Sequence, residues 1–194
     1  MIIVENDPAR VEAALRRGRL ACPHCDGELG PWGSARHRFL RMKEGAEGHR
    51  PRRSRCRSCR RTSVLLPDVA LLRRVDAASV IGVALLARAE GLGQRRIAAI
   101  LSRQRETVRG WLQRFSARAG ALATHFSAWA FALDARLADV PPQRTPAAAA
   151  IDAIGTAGRA ASTLLGPRPV WSWASAMTGG RLLCNTTTPY PAPR

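Results

Sequence analysis

Residues 90–115 read EGLGQRRIAAILSRQRETVRGWLQRF, and this stretch has the spacing of two short helices joined by a tight turn. Its apolar residues recur three and four positions apart, which predicts a helix over 94–101, a turn over 102–104 and a third helix to about residue 118. The residues expected to face the core are Ile97, Ile100, Leu101, Val108, Trp111, Leu112 and Phe115. This pattern is typical of a helix-turn-helix, whose last helix enters the major groove of DNA.

Further helices are predicted on both sides of this stretch. A preceding helix should begin at Asp76, which suits an N-cap, and end at Gly91, with Val80, Val83, Ala84 and Ala87 on its inner face. A fourth helix carries one apolar stripe, formed by Leu122, Phe126, Trp129, Ala130, Leu133 and Leu137, and Asp139 with Pro141 and Pro142 should close it. Beyond residue 141 the chain is rich in Ala, Pro and Gly, so residues 141–194 are expected to be partly helical or disordered.

Two CxxC pairs precede the helices. Cys22 and Cys25 form the first pair, and Cys56 and Cys59 form the second after an interval of 30 residues. Four thiolates presented by two turns are the usual ligands of a structural zinc ion, so the sequence predicts one Zn²⁺ per chain. Short strands are expected at 36–42 and 62–66, after a helix that begins at Asp7-Pro8 and stops at Gly18, and Gly27 is expected to supply a positive φ.

Alternatives to this metal site remain open from the sequence. A histidine, either His24, His37 or His49, could replace one cysteine, and a CxxC pair can also serve redox chemistry. The sequence around the pairs has no thioredoxin-type βαβ pattern, which argues against a redox role. A closed four-thiolate site leaves no open coordination position, so the expected role is structural, and chelation should unfold about the first 65 residues.

The net charge of +17 favours a polyanionic partner. It is spread over the chain, with +9 in residues 1–75 and +4 in each of 76–140 and 141–194. The first residues, MIIVENDPARVE, lack the layout of a secretory signal, and there is no run of about 18 apolar residues. The sequence therefore predicts a cytoplasmic, nucleoid-associated protein that binds double-stranded DNA and no membrane.

Candidate DNA contacts follow from helix-turn-helix geometry. Residues exposed at the start of the last helix are expected to meet base edges: Gln104, Arg105, Glu106, Arg109 and Gln113. Thr107, Arg95 and Arg96 are better placed for backbone phosphates. A second phosphate-contacting surface is expected around the second CxxC pair, where residues 50–61 hold seven arginines, among them Arg53, Arg55, Arg57 and Arg60. An ordinary helical hairpin with solvated arginines is the alternative.

Residues 20–140 resemble the zinc-ribbon plus helix-turn-helix proteins associated with insertion-sequence transposases of high-GC actinobacteria. The order CPHC, CRSC, GQRRIAAIL and ETVRGWLQRF carries the resemblance, and the helical part is similar to homeodomain-like transposase ends. It implies site-specific DNA binding and a transposase or integrase partner. In two respects the chain departs from that pattern: Gln104 stands where Ser or Thr is the usual cap, and CRSC lacks a following glycine.

The expected fold is mainly α with a small N-terminal β zinc ribbon, followed by a homeodomain-like helix-turn-helix and one or two further helices. The predicted divisions are 1–67 for the N-terminal helix and ribbon, 68–140 for the helical domain and 141–194 for the C-terminal segment. An enzyme is not expected, because only Asp134, Asp139 and Asp152 follow Glu106 as carboxylates. Three functions remain: a DNA-binding regulator or transposition accessory factor, an RNA-binding ribbon protein, and an interaction adaptor that docks or dimerises through Phe126, Trp129 and Leu133.

Overall fold

The computed structural model describes residues 1–137, 143, 145–185 and 190–192. Within them the chain is mainly α, with 47% of it helical, and it carries a small N-terminal mixed sheet. Asp139, Pro141 and Pro142, which were expected to close the fourth helix, lie outside the described residues. No helix in the described ranges has the length and apolar character needed to cross a membrane.

The N-terminal region is a four-stranded sheet covered by one helix. Its strands are β1 (Ile2–Val4), β2 (Leu29–Ser34), β5 (Arg52–Cys56) and β6 (Thr62–Pro67), in the order β1-β6-β5-β2, and only the β1–β6 pair is parallel. The helix α1 (Pro8–Arg16) begins as predicted, because Asp7 accepts hydrogen bonds from the amides of Ala9 and Arg10. Val11 and Leu15 face a small core with Leu29 and Leu65.

A separate hairpin interrupts this sheet. It pairs β3 (Arg38–Arg41) with β4 (Ala46–His49), and Leu40, 3% exposed, packs into the helical core rather than the ribbon core. The amide of Arg41 donates to the carbonyl of Val75 at 2.7 Å, and the amide of Ala77 donates back to Arg41 at 3.0 Å. The hairpin is therefore fixed to the segment that leads into the helices.

Three helices follow, α2 (Ala78–Ala89), α3 (Gln94–Ile100) and α4 (Arg105–Ser116). Ile97, Leu101, Val108 and Trp111 are buried between them, as the sequence predicts. Two inward assignments were wrong: Ile100 is 52% exposed and Val83 is 40% exposed. Each lies on the side of its helix that faces solvent.

The start of α2 also differs from the prediction. Its N-cap is Ala77, without a side-chain hydrogen bond, and the helix begins at Ala78. Asp76 does not cap it, because this carboxylate is 2% exposed and bound by the guanidinium groups of Arg41 and Arg103.

The C-terminal helices complete the main core. Helix α5 (Ala119–Leu133) packs along α6 (Pro146–Leu165), and α7 (Val170–Met177) packs against α2 and α6. Of the stripe proposed for docking, Phe126 is fully buried, and Trp129 and Leu133 are partly buried against this core. Trp171 lies against Gly82, where an added Cβ would collide with the indole.

Candidate metal centre and nucleic-acid interface

The two CxxC segments adopt matching turns. In the first, the amide of Cys22 donates to the carbonyl of Gly27 at 2.8 Å, and in the second the amide of Cys56 donates to Arg61 at 2.9 Å. The residue after the second cysteine has a positive φ in each, 54° at Asp26 and 63° at Arg60. The positive φ expected at Gly27 therefore lies one residue earlier.

Gly27 is needed for a different reason. A Cβ at this position would collide with Ser58 Oγ and lie 3.2 Å from Cys56 Sγ. Only glycine lets the first turn approach the second this closely.

The two turns bring all four cysteines together. Cys22 Sγ lies 3.7 Å from Cys59 Sγ, and Cys25 Sγ lies 3.5 Å from Cys56 Sγ. All four sulfur atoms are within 4.8 Å of one another, in an arrangement able to hold a metal ion. The predicted cysteine cluster is thus confirmed, while the identity of its metal stays a prediction.

The environment of the cluster differs from one ligand to the next. Cys22 and Cys56 are each 1% exposed, whereas Cys25 lies at the surface. The amide of Cys59 donates to Cys56 Sγ at 3.4 Å, and this hydrogen bond is the main cause that lowers the pKa of Cys56 to about 6. Such a thiol is a thiolate near neutral pH, the form that binds metals.

The histidines take no part in this cluster. Among the described residues the group consists of the four cysteines alone. His24 Nδ1 lies 3.1 Å from an Arg61 guanidinium nitrogen, and His37 packs edge-on against Phe39. None of these histidines therefore replaces a cysteine in the cluster.

Helix α4 presents a polar face to solvent and an apolar face to the core. Val108, Trp111 and Phe115 are at most 3% exposed. The predicted base-contacting residues are all exposed on the other side: Gln104, Arg105, Glu106, Arg109 and Gln113. Thr107 is half-buried, and Arg95 and Arg96 are exposed on α3.

Two of these arginines have partners within the protein. The amide oxygen of Gln94, in the orientation that satisfies its hydrogen bonds, accepts from Arg105 Nη2 at 2.9 Å and from Nε at 3.2 Å. Arg109 forms an ion pair with Glu106 one helical turn away. Both pairs are at the surface, where such contacts are weak enough to exchange for other partners.

The predicted ribbon arginines are divided between contacts and solvent. Arg57 forms an exposed ion pair with Glu28 at 2.9 Å, and the Arg55 guanidinium lies over the Trp32 ring at 4.5 Å. Arg53 donates to Thr62 at 3.5 Å, and Arg60 is exposed. All four arginines belong to strand β5 or to the turn after it, which carry Cys56 and Cys59.

Sequence reasoning missed a buried ion network beside α4. Asp76 Oδ1 accepts from Arg103 Nε at 2.6 Å, and Asp76 Oδ2 accepts from Arg41 at 2.9 Å. Arg103 also donates to the carbonyl of Met42 at 2.6 Å, and its side chain is only 10% exposed. The turn between α3 and α4 is therefore held to the end of strand β3, which no local sequence signal indicates.

Comparisons with known proteins add nothing to this description: no family model, no curated protein and no solved structure matches the chain. The resemblance to transposase-associated proteins thus stays a prediction from the motifs.

Proposed function

We propose that this chain is a sequence-specific DNA-binding protein whose N-terminal region is a structural zinc ribbon. The observation that carries the proposal is α4, a helix buried on one face, exposing five polar side chains on the other and preceded by a four-residue turn, in a chain of charge +17. Those are the features of a recognition helix in a helix-turn-helix. A homeodomain-like arrangement of these helices is part of the same proposal.

Zinc is the metal that best suits the cysteine cluster. A tetrahedral site with Zn–S bonds of about 2.3 Å has sulfur–sulfur edges of about 3.8 Å. Two of the sulfur–sulfur separations, 3.5 and 3.7 Å, are close to that value. Four thiolates fill the coordination sphere, so the ion would stabilise the ribbon and supply no reaction chemistry. The proposal accordingly assigns no catalytic step to the chain.

The residues on the exposed face of α4 would contact the DNA bases. Arg105 and Arg109 can each pair bidentately with guanine, Gln104 and Gln113 with adenine, and Glu106 can accept from cytosine. Because Arg105 is bound by Gln94 and Arg109 by Glu106 in the free protein, binding requires these contacts to be exchanged for base edges. The exchange costs little because all four side chains are at or near the surface.

Phosphate contacts complete the proposed interface. Arg95, Arg96 and Thr107 flank the start of α4, and the ribbon arginines form a second basic surface. A regulator or a transposition accessory factor would use the same two surfaces, acting with a transposase or integrase in the second case. A homodimer would read two half-sites with related sequence.

The test is a comparison of single alanine variants by fluorescence anisotropy. Arg109→Ala is expected to lose about 1–3 kcal/mol of specific affinity and to relax base preference at one position. Arg159→Ala, a change on α6 far along the chain from α4, serves as the charge control. Equal affinities of the two variants for the preferred duplex would overturn the assignment of α4 as the reader.

A further inference from the structure

A basic groove lies between strand β3 and the segment 66–75, outside the surfaces described above. It encloses about 420 Å³ and is lined by four basic residues, Arg38, His49, Arg73 and Arg74. No carboxylate is among the described residues that line it. A positive groove without an acidic residue attracts anions from solution.

The basic side chains of this groove are short of partners. The guanidinium groups of Arg38 and Arg73 form no hydrogen bond or ion pair within the described part of the chain. His49 Nε2 and Arg74 Nε are buried without a hydrogen-bond partner among those same residues. Both nitrogen atoms are shielded from solvent, so the charges that the groove presents are the guanidinium groups of Arg38 and Arg73, which are exposed.

The backbone holds Arg73 in an unfavourable conformation beside these groups. Its φ is 59°, in the left-handed region that residues other than glycine rarely adopt. The turn is fixed by a hydrogen bond from the amide of Arg74 to Leu71 at 3.2 Å, and the Arg74 side chain donates to Leu183 at 3.0 Å. Strained residues of this kind concentrate at functional sites.

The groove adjoins the proposed recognition helix. Val75 lines it, and the next residue is Asp76, which binds Arg103 at 2.6 Å. Arg103 lies two residues before Arg105, the first residue of α4. One buried ion network therefore links the segment that lines the groove to the turn before α4.

We propose that this groove binds backbone phosphates of the duplex whose major groove receives α4. The inference rests on the proposed DNA-binding function and extends it to a third phosphate-contacting surface. A strand of B-DNA presents one phosphate about every 3.4 Å along the helix axis. A strand that contacts the start of α4 therefore has further phosphates a few nucleotides away, which the groove could bind. Arg38 and Arg73, whose side chains are exposed, supply the charges that contact the phosphates.

The salt dependence of DNA binding tests this assignment. Each phosphate contact contributes about 0.9 to the slope of log K against log salt, so Arg38→Ala with Arg73→Ala should reduce the slope by about 1.8. If the wild type and the double variant bind equally at about 1 M salt, this difference in slope makes the affinity of the variant about thirtyfold lower at 0.15 M salt. Preferred and random duplexes should lose the same factor, because phosphates carry no sequence information.

Matched variants separate the possible results. Arg16→Ala removes an exposed arginine on α1, 74% exposed, and should leave the slope unchanged. Replacing Arg38 and Arg73 by lysine keeps both charges and should retain most of the slope. If the double alanine variant keeps the wild-type slope while Arg109→Ala loses specific affinity, the groove assignment is wrong and the proposed function stands. If the wild-type protein binds no duplex, both are wrong.

A second measurement uses the unaltered protein. On titration with duplex, the side-chain ¹⁵N resonances of His49 should shift, because a phosphate bound in the groove places a negative charge near the imidazole. His125 Nε2 already donates to the Met177 carbonyl at 3.0 Å and should stay unchanged. An unperturbed His49 resonance at saturating duplex would overturn the inference even if the arginine variants did not fold.

Discussion

Replacing Asp76 by asparagine should destabilise the protein far more than a surface change of the same kind. Asp76 is 2% exposed and accepts from Arg103 at 2.6 Å and from Arg41 at 2.9 Å. Asparagine has the same shape, so the substitution removes the charge without leaving a cavity. Breaking a buried ion pair costs about 3–5 kcal/mol when the partner stays buried and unpaired.

The structure places the expected loss at the lower end of that range. The Arg41 side chain is 46% exposed and can return to water, whereas Arg103 is 10% exposed and keeps only its backbone acceptors. We therefore expect a loss of about 3 kcal/mol, which for a chain of this length lowers Tm by about 6–12 °C.

Thermal and urea unfolding followed by far-ultraviolet circular dichroism measures this loss. Glu28→Gln is the matched control, because its pair with Arg57 leaves both side chains more than half exposed. It should cost no more than about 0.5 kcal/mol. Amide exchange should also accelerate at Arg41 and Ala77, whose hydrogen bonds join β3 to the segment before α2. A Tm for Asp76→Asn equal to that of Glu28→Gln would refute the reasoning.

Two other predictions concern the helical core. Gly82→Ala should lower the free energy of unfolding by about 1–2 kcal/mol, because the new Cβ collides with the Trp171 indole and this overpacking outweighs the gain in helix propensity. Gly120→Ala, with nothing within 4 Å of the new Cβ, should be neutral or slightly stabilising, and equal urea midpoints for the two variants would contradict the packing. The pKa of His125 is lowered from 6.5, mainly by burial, so the unfolded state binds the proton more tightly and stability falls as pH decreases through and below about 6.5. His125→Gln should show a smaller loss of urea midpoint between pH 7.5 and 5.5 than the wild type, and identical losses would show that His125 does not contribute.

The parts of the fold that local chemistry determines could be predicted from the sequence. The Asp7-Pro8 start of α1, the cysteine cluster and the two helices around the 101–104 turn each depend on residues close together in the chain or on ligands with a fixed spacing. The exposed polar face of α4 follows from the same periodicity. Residues 141–194 were expected to be only partly helical or disordered, whereas α6 forms a major part of the core.

Long-range pairing could not be predicted in the same way. Asp76 is a residue type that suits an N-cap, yet two arginines distant in sequence bind it instead. Arg103 lies in a polar turn of the sequence, where an arginine is usually solvated, but in the structure its side chain is only 10% exposed. Strand β1 is only three residues long and is held in the sheet by parallel pairing with β6, which lies more than sixty residues away in the chain. In each case the deciding partner lies in another element, so the sequence near the residue carries no sign of it.

The central claim, that α4 reads a DNA sequence, is tested most directly by selection from a random duplex library. The metal-loaded protein would be used at about 0.15 M salt with excess nonspecific competitor, since nonspecific binding depends strongly on salt. We expect an enriched motif that contains guanine, and we expect the preference for guanine at one position to disappear when the selection uses Arg105→Ala or Arg109→Ala. Salt-sensitive binding of the library with no enriched motif would contradict it, because the chain would then hold phosphates without reading bases.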